Sequence, residues 1–120
     1  MSERESTITI NGKEYNLLLT TRATKEIANR FGGLAALGSK MDEQDFERNI
    51  DDSVWLVALL ANQSIQRHNF EHPEDPKKEI TVEEIELLTT PLEIGEFAPA
   101  IEEALKKGTK REIESNAVKN

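Results

Sequence analysis

The sequence predicts an α+β fold, mostly α, with an N-terminal β-hairpin followed by a small bundle of about four to five helices. Three observations carry this. Apolar residues alternate at period two on both sides of Asn11-Gly12, and they recur at helical spacing through residues 50–70. Two Thr-x-x-Glu capping boxes open at Thr81 and Thr90. The 120 residues suit one domain, expected over 1–108, with 109–120 as a polar, flexible tail.

In the hairpin, Thr7-Ile8-Thr9-Ile10 and Glu14-Tyr15-Asn16-Leu17 flank a pair that tolerates the positive φ angles of a type I′ turn. Two strands alone are marginal in water, so the face bearing Ile8, Ile10, Tyr15 and Leu17 lies on helices or pairs with another chain's edge. Thr20 or Thr21 then caps a helix of about three turns in which Ala23, Ile27 and Phe31 share a face. Gly32-Gly33 supplies its left-handed stop. Residues 34–37 add one more turn before Gly38-Ser39, and Asp42 offers the next cap.

Ile50, Val54, Val57, Ala58, Ala61 and Ile65 form a helical stripe that Trp55, Leu56, Leu59 and Leu60 widen to most of the circumference. This describes a central, nearly encircled helix. A strand over residues 54–61 is the rival, but the run sits inside a longer stretch without Gly or Pro, which favours helix. Pro73 and Pro76 close it into an exposed loop over 72–79. The box at Thr81 starts a short helix with Ile85 and Leu88 inward. The box at Thr90 puts Pro91 at the first helical position and leads into a stripe of Ile94, Phe97, Ala98, Ile101 and Leu105. Pro99 forces a kink or a break there near Phe97. Gly108, after Lys106-Lys107, is expected to end that helix.

Composition narrows the function classes. Apolar residues at 37% supply one core, while 32% charged residues and a mean hydropathy of -0.58 describe a wet exterior. Fifteen Lys and Arg against twenty-three Asp and Glu leave a net charge of -8, the wrong sign for gripping phosphates, so no nucleic-acid partner is expected. The acidity is uneven, since residues 71–107 hold eleven acidic and four basic side chains, a net of -7. With no cysteine there is no disulfide, thiolate metal site or thiol nucleophile, which fits a reducing compartment. The longest apolar run, 54–61, is eight residues against the roughly 20 of a spanning helix, so no membrane partner is expected. MSERESTITI lacks the pattern of a secretory signal, and a soluble intracellular protein is expected.

No residue pattern points to chemistry. His68-Asn69-Phe70-Glu71-His72 spells the H-x-x-E-H of one zinc protease class, but Pro73 would end the helix that must hold both ligands, and a solvated helix end is the better reading. The paired carboxylates Asp51-Asp52, Glu83-Glu84 and Glu102-Glu103 face different directions on helices and read as solvated faces. No G-x-S-x-G elbow surrounds a serine, and Gly32-Gly33 lacks phosphate-loop spacing, so no catalytic residue, metal or cofactor is expected. Ile94, Phe97 and Ile101 are the candidate partner-binding residues. On a kinked amphipathic helix in the acidic half they can form an apolar groove ringed by carboxylates, suited to a partner helix with basic flanks. An ordinary core face is the other reading of the same three.

The order of these segments resembles a known family. Ile8-Thr9-Ile10-Asn11-Gly12-Lys13-Glu14-Tyr15 is followed by Leu17-Leu18-Leu19-Thr20-Thr21, then Glu26-Ile27 and Phe31-Gly32-Gly33-Leu34. The central Leu56-Val57-Ala58-Leu59-Leu60-Ala61 and Ile80-Thr81-Val82-Glu83-Glu84-Ile85 complete it, so that residues 7–108 resemble tail assembly chaperones of long-tailed, siphovirus-like bacteriophages and prophages.

The resemblance implies a small non-enzymatic protein that binds the tape measure protein, keeps it soluble and helps recruit tail tube subunits. It also implies action in the host bacterial cytoplasm and departure before the virion matures. Many such families make a longer, frameshifted form, for which Lys106-Lys107-Gly108 marks the place of a slippery codon run. Two readings compete: a structural tail or connector component, and an acidic inhibitor that mimics DNA, against which the fifteen interspersed cations argue. An open hairpin edge allows a homo-oligomer.

Overall fold

The chain turns back between β1 (Glu5–Ile10) and β2 (Lys13–Leu18) because Asn11 and Gly12 hold φ at 52° and 79°. Two successive positive angles are what a two-residue type I′ turn needs. This computed structural model describes residues 5–42 and 46–118, with side chains over 5–39 and 50–109. The antiparallel register sets Ser6 opposite Leu17, Ile8 opposite Tyr15 and Ile10 opposite Lys13. Ser6, Ile8, Ile10 and Leu17 are buried and Tyr15 half-buried, so the expected face is the covered one, and helices cover the hairpin.

Thr20 caps α1 (Thr21–Phe31) by accepting the Ala23 N–H at 3.1 Å, and Gly32 ends it with φ at 90°, returning its N–H to the Ala28 carbonyl. The following helix is longer than the expected single turn. α2 (Leu34–Asp42) runs through Gly38, whose outward side is open, and Asp42 is its last residue instead of the cap of the next helix. A glycine inside a helix costs about 1 kcal/mol relative to alanine, too little to stop one that buries Leu37.

α3 (Phe46–Glu71) is the central helix, and the helical reading of residues 54–61 holds. Val54, Leu56, Val57, Ala58, Leu60 and Ala61 are all buried, each fully desolvated large side chain contributing about 1.5–3 kcal/mol. α1 is fastened to it by Arg30, which pairs with Asp52 at 3.0 Å and lies 4.8 Å over the Trp55 ring. The Phe31 ring meets Trp55 edge-on at 5.8 Å.

Both capping boxes form. They open α4 (Val82–Leu88) and α5 (Pro91–Glu96), with the Glu84 and Glu93 carboxylates returning to the N–H of Thr81 and Thr90. The helix breaks at Phe97, as Pro99 requires, and α6 (Ala98–Val118) begins again with Pro99 in its first turn, where its missing N–H costs nothing.

Two expectations are corrected here. Leu88, placed inward from the sequence, is 42% exposed, because Ile85 alone fills the inner side of so short a helix. Gly108 does not end the last helix: α6 continues to Val118, taking in residues 109–118 of the expected tail. Glycine is required at 108 for a different reason. A Cβ there would stand 2.8 Å from Leu19 Cδ2 and 2.9 Å from Leu19 Cβ, so the residue lets α6 close onto the end of the hairpin. Ser6 Oγ donates to the Ala100 carbonyl at 2.6 Å and Lys107 Nζ donates to the Glu5 carbonyl at 2.9 Å, fastening β1 along the same helix.

Candidate functional site

The acidic half is built on α3. After the loop, an extended segment returns along that helix and is held by two asparagines seven residues apart, which two helical turns bring to one side. Asn62 donates to the Ile80 carbonyl at 2.7 Å and accepts the Ile80 N–H at 2.8 Å. Asn69 does the same for Lys77, at 2.9 and 2.7 Å. Each side-chain amide thus replaces the backbone partner that a neighbouring strand would supply. The segment enters α4 from a fixed point, and the capping boxes fix both short helices.

Residues 79–105 contain eight glutamates and no lysine, arginine or histidine. Three exposed leucines lie among them within six consecutive residues: Leu87 at 79%, Leu88 at 42% and Leu92 at 75%. On α4, Leu87 is two residues from the buried Ile85, and on α5, Leu92 is two residues from the buried Ile94. About 200° of helical rotation therefore turns each leucine away from the core. Glu83, Glu86 and Glu96 are exposed beside them and, among the described residues, no cation pairs with these three or with Glu93. The Glu84 carboxylate lies below the usual glutamate range, first because the Thr81 N–H donates to it and then because of the Thr81 hydroxyl, with Lys78 and Lys13 adding to the effect.

The candidate partner-binding residues lie elsewhere. Ile94, Phe97 and Ile101 are 3%, 6% and 1% exposed and belong to the central core, so the structure brings them together as packing. Among the described residues, the exposed large apolar side chains of the acidic half are Val82, Leu87, Leu88 and Leu92 instead. A signal for two of the leucines exists in the sequence: Leu87 and Leu92 are spaced two from the inward positions of capped helices, in a run without a cation.

A cleft of about 390 Å³ opens between the start of β2, one side of α3 and the extended segment. Lys13, Lys77 and Lys78 stand around it, with Tyr15, Ser64 and His68 in its wall. Ser64 and His68 do not face each other as nucleophile and base. The Ser64 hydroxyl donates to Glu5 Oε2 at 2.9 Å, and His68 Nε2 lies 2.9 Å from the Asp75 carbonyl, which can only accept, so that nitrogen carries its proton. The two imidazoles of the H-x-x-E-H pattern lie close, with ring centroids 5.0 Å apart, but its side chains are engaged with other partners. Glu71 pairs with Arg67 at 3.5 Å, and His72, beyond the end of α3, faces Glu74 at 3.5 Å. Among the described residues no three metal-ligating side chains converge, and no helix is long and apolar enough to cross a membrane.

Comparison with models of protein families, with curated proteins and with solved structures finds no match to this chain.

Proposed function

We propose that this protein is a non-enzymatic tail assembly chaperone of a long-tailed bacteriophage or prophage. It binds the tape measure protein, keeps that long helical chain soluble, helps recruit tail tube subunits and leaves before the particle is complete. The work takes place in the host bacterial cytoplasm. The observation that supports this reading is the order of elements: a hairpin turned at Asn11-Gly12, a helix ended at Gly32, a long apolar central helix and a capped acidic segment. The sequence resemblance rests on the same segments in the same order.

The test is an immunoblot of lysate from phage-producing cells beside purified particles, with the tape measure protein followed in the soluble fraction. The expected result is a strong band in the lysate, none in the particles, and loss of soluble tape measure protein when this chain is deleted. A stoichiometric band in the particles would overturn the chaperone reading and make the protein a tail or connector component.

A further inference from the structure

We infer that the corner between α4 and α5, bearing Leu87, Leu88 and Leu92, is a docking surface for a cationic amphipathic helix. Single exposed leucines are ordinary, but here three fall within six residues, two of them turned about 200° from a buried neighbour, which concentrates apolar surface at this corner. The charges around it select the occupant. Glu83, Glu86, Glu93 and Glu96 meet no cation among the described residues, so covering the leucines with an uncharged chain would strip water from carboxylates and return nothing. A second copy of this protein would set one acidic rim against another, and an anionic membrane would do the same. A helix with apolar residues at i, i+3 or i+4, and i+7, flanked by Lys or Arg, covers the leucines and pairs the rim at once.

The surface is also stiff before anything binds. Its two helices are pinned by the Thr81 and Thr90 capping boxes, and the Asn62 grip on Ile80 anchors the segment that enters them. Little ordering is left to oppose association. Equating the occupant with a tape measure helix rests on the proposed function, whereas the surface itself follows from exposure and charge.

The experiment titrates the full chain into a fluorescein-labelled leucine–lysine model peptide of about five helical turns, read by anisotropy at low and high salt. Saturable one-to-one binding is expected, weakened about tenfold or more in Leu87→Ser and Leu92→Ser and also in Glu86→Lys. A matched leucine–glutamate peptide is expected not to bind. Melting curves check that the variants keep their fold, which substitutions at exposed positions allow. Unchanged affinity in both leucine variants would overturn the surface, as would a dimer of the free protein that Leu92→Ser dissolves. Co-expression with the tape measure protein separates the two readings. If Leu92→Ser abolishes peptide binding but leaves tape measure solubility intact, the surface stands and the partner assigned to it falls.

Discussion

The hydroxyl of Thr20 joins two parts of the chain 43 residues apart, accepting the Ala23 N–H that opens α1 while donating to Oε1 of Gln63, which is 4% exposed on α3. One oxygen thus caps a helix and satisfies a buried amide. Removing it leaves both an open helix end and an unpaired buried acceptor. Thr20→Ala is expected to cost about 2 kcal/mol in urea unfolding, and Thr20→Ser well under half of that, since serine keeps the hydroxyl.

Two glycines inside helices should respond to alanine in opposite directions. At Gly38 nothing stands within 4 Å of the added Cβ, so Gly38→Ala is expected to stabilise by about 0.5–1 kcal/mol. At Gly108 the methyl meets the root of Leu19, and the same substitution is expected to lower the melting temperature despite alanine's better helix propensity. Thermal unfolding of the pair checks both signs. Equal shifts would show that α6 does not press on Leu19.

Phe97 decides whether the Ile94–Phe97–Ile101 set is packing or an open groove. Buried at 6% exposure, it is expected to cost about 3–5 kcal/mol as alanine. Leu92→Ser, at an exposed position, should move stability by less than about 0.5 kcal/mol. Chemical denaturation of the two variants measures the difference.

Glu84 gives a pH signature. Its pKa is held below the ordinary 4.5 by hydrogen bonds that exist only in the folded helix start. The folded value being the lower one, the stabilisation is fully present above the unfolded value and is lost as pH falls through the folded one. A carbon-detected NMR titration should place the Glu84 midpoint below 4.5. Thr81→Ala should raise it toward that value.

Amide exchange reads the asparagine grips. The Ile80 and Lys77 N–H groups donate to side chains and belong to no helix or sheet, so without the grips they would exchange freely. Asn62→Ala should speed exchange at Ile80 by at least about tenfold and leave Lys77 the slower to respond. Asn69→Ala should show the reverse.

Local signals were legible and long-range ones were not. The turn at Asn11-Gly12, the cap at Thr20, the boxes at Thr81 and Thr90 and the break at Phe97 each depend on residues within four positions. Backbone chemistry alone dictates them. Gly108 shows the limit: a glycine after two lysines has the pattern of a helix stop, and only Leu19, 89 positions away, reveals it as a point of close approach. Ile94, Phe97 and Ile101 made a stripe that reads equally as groove or core until the opposing surface is known. Asn62 and Asn69 gave no signal, because their backbone partners come from a loop whose path no local rule predicts.

The fastening of β1 to α6 has a consequence for how the protein is made. Ser6 and Glu5 reach their partners 94 and 102 positions later, so β1 leaves the ribosome before the other elements and must wait for α6 to be completed. Until α6 has been synthesised, the hairpin lacks one of the helices that cover it. Premature termination before α6 begins at Ala98 would therefore release a chain with a sticky β surface, and the cell's proteases and holdases would meet that species before any partner did.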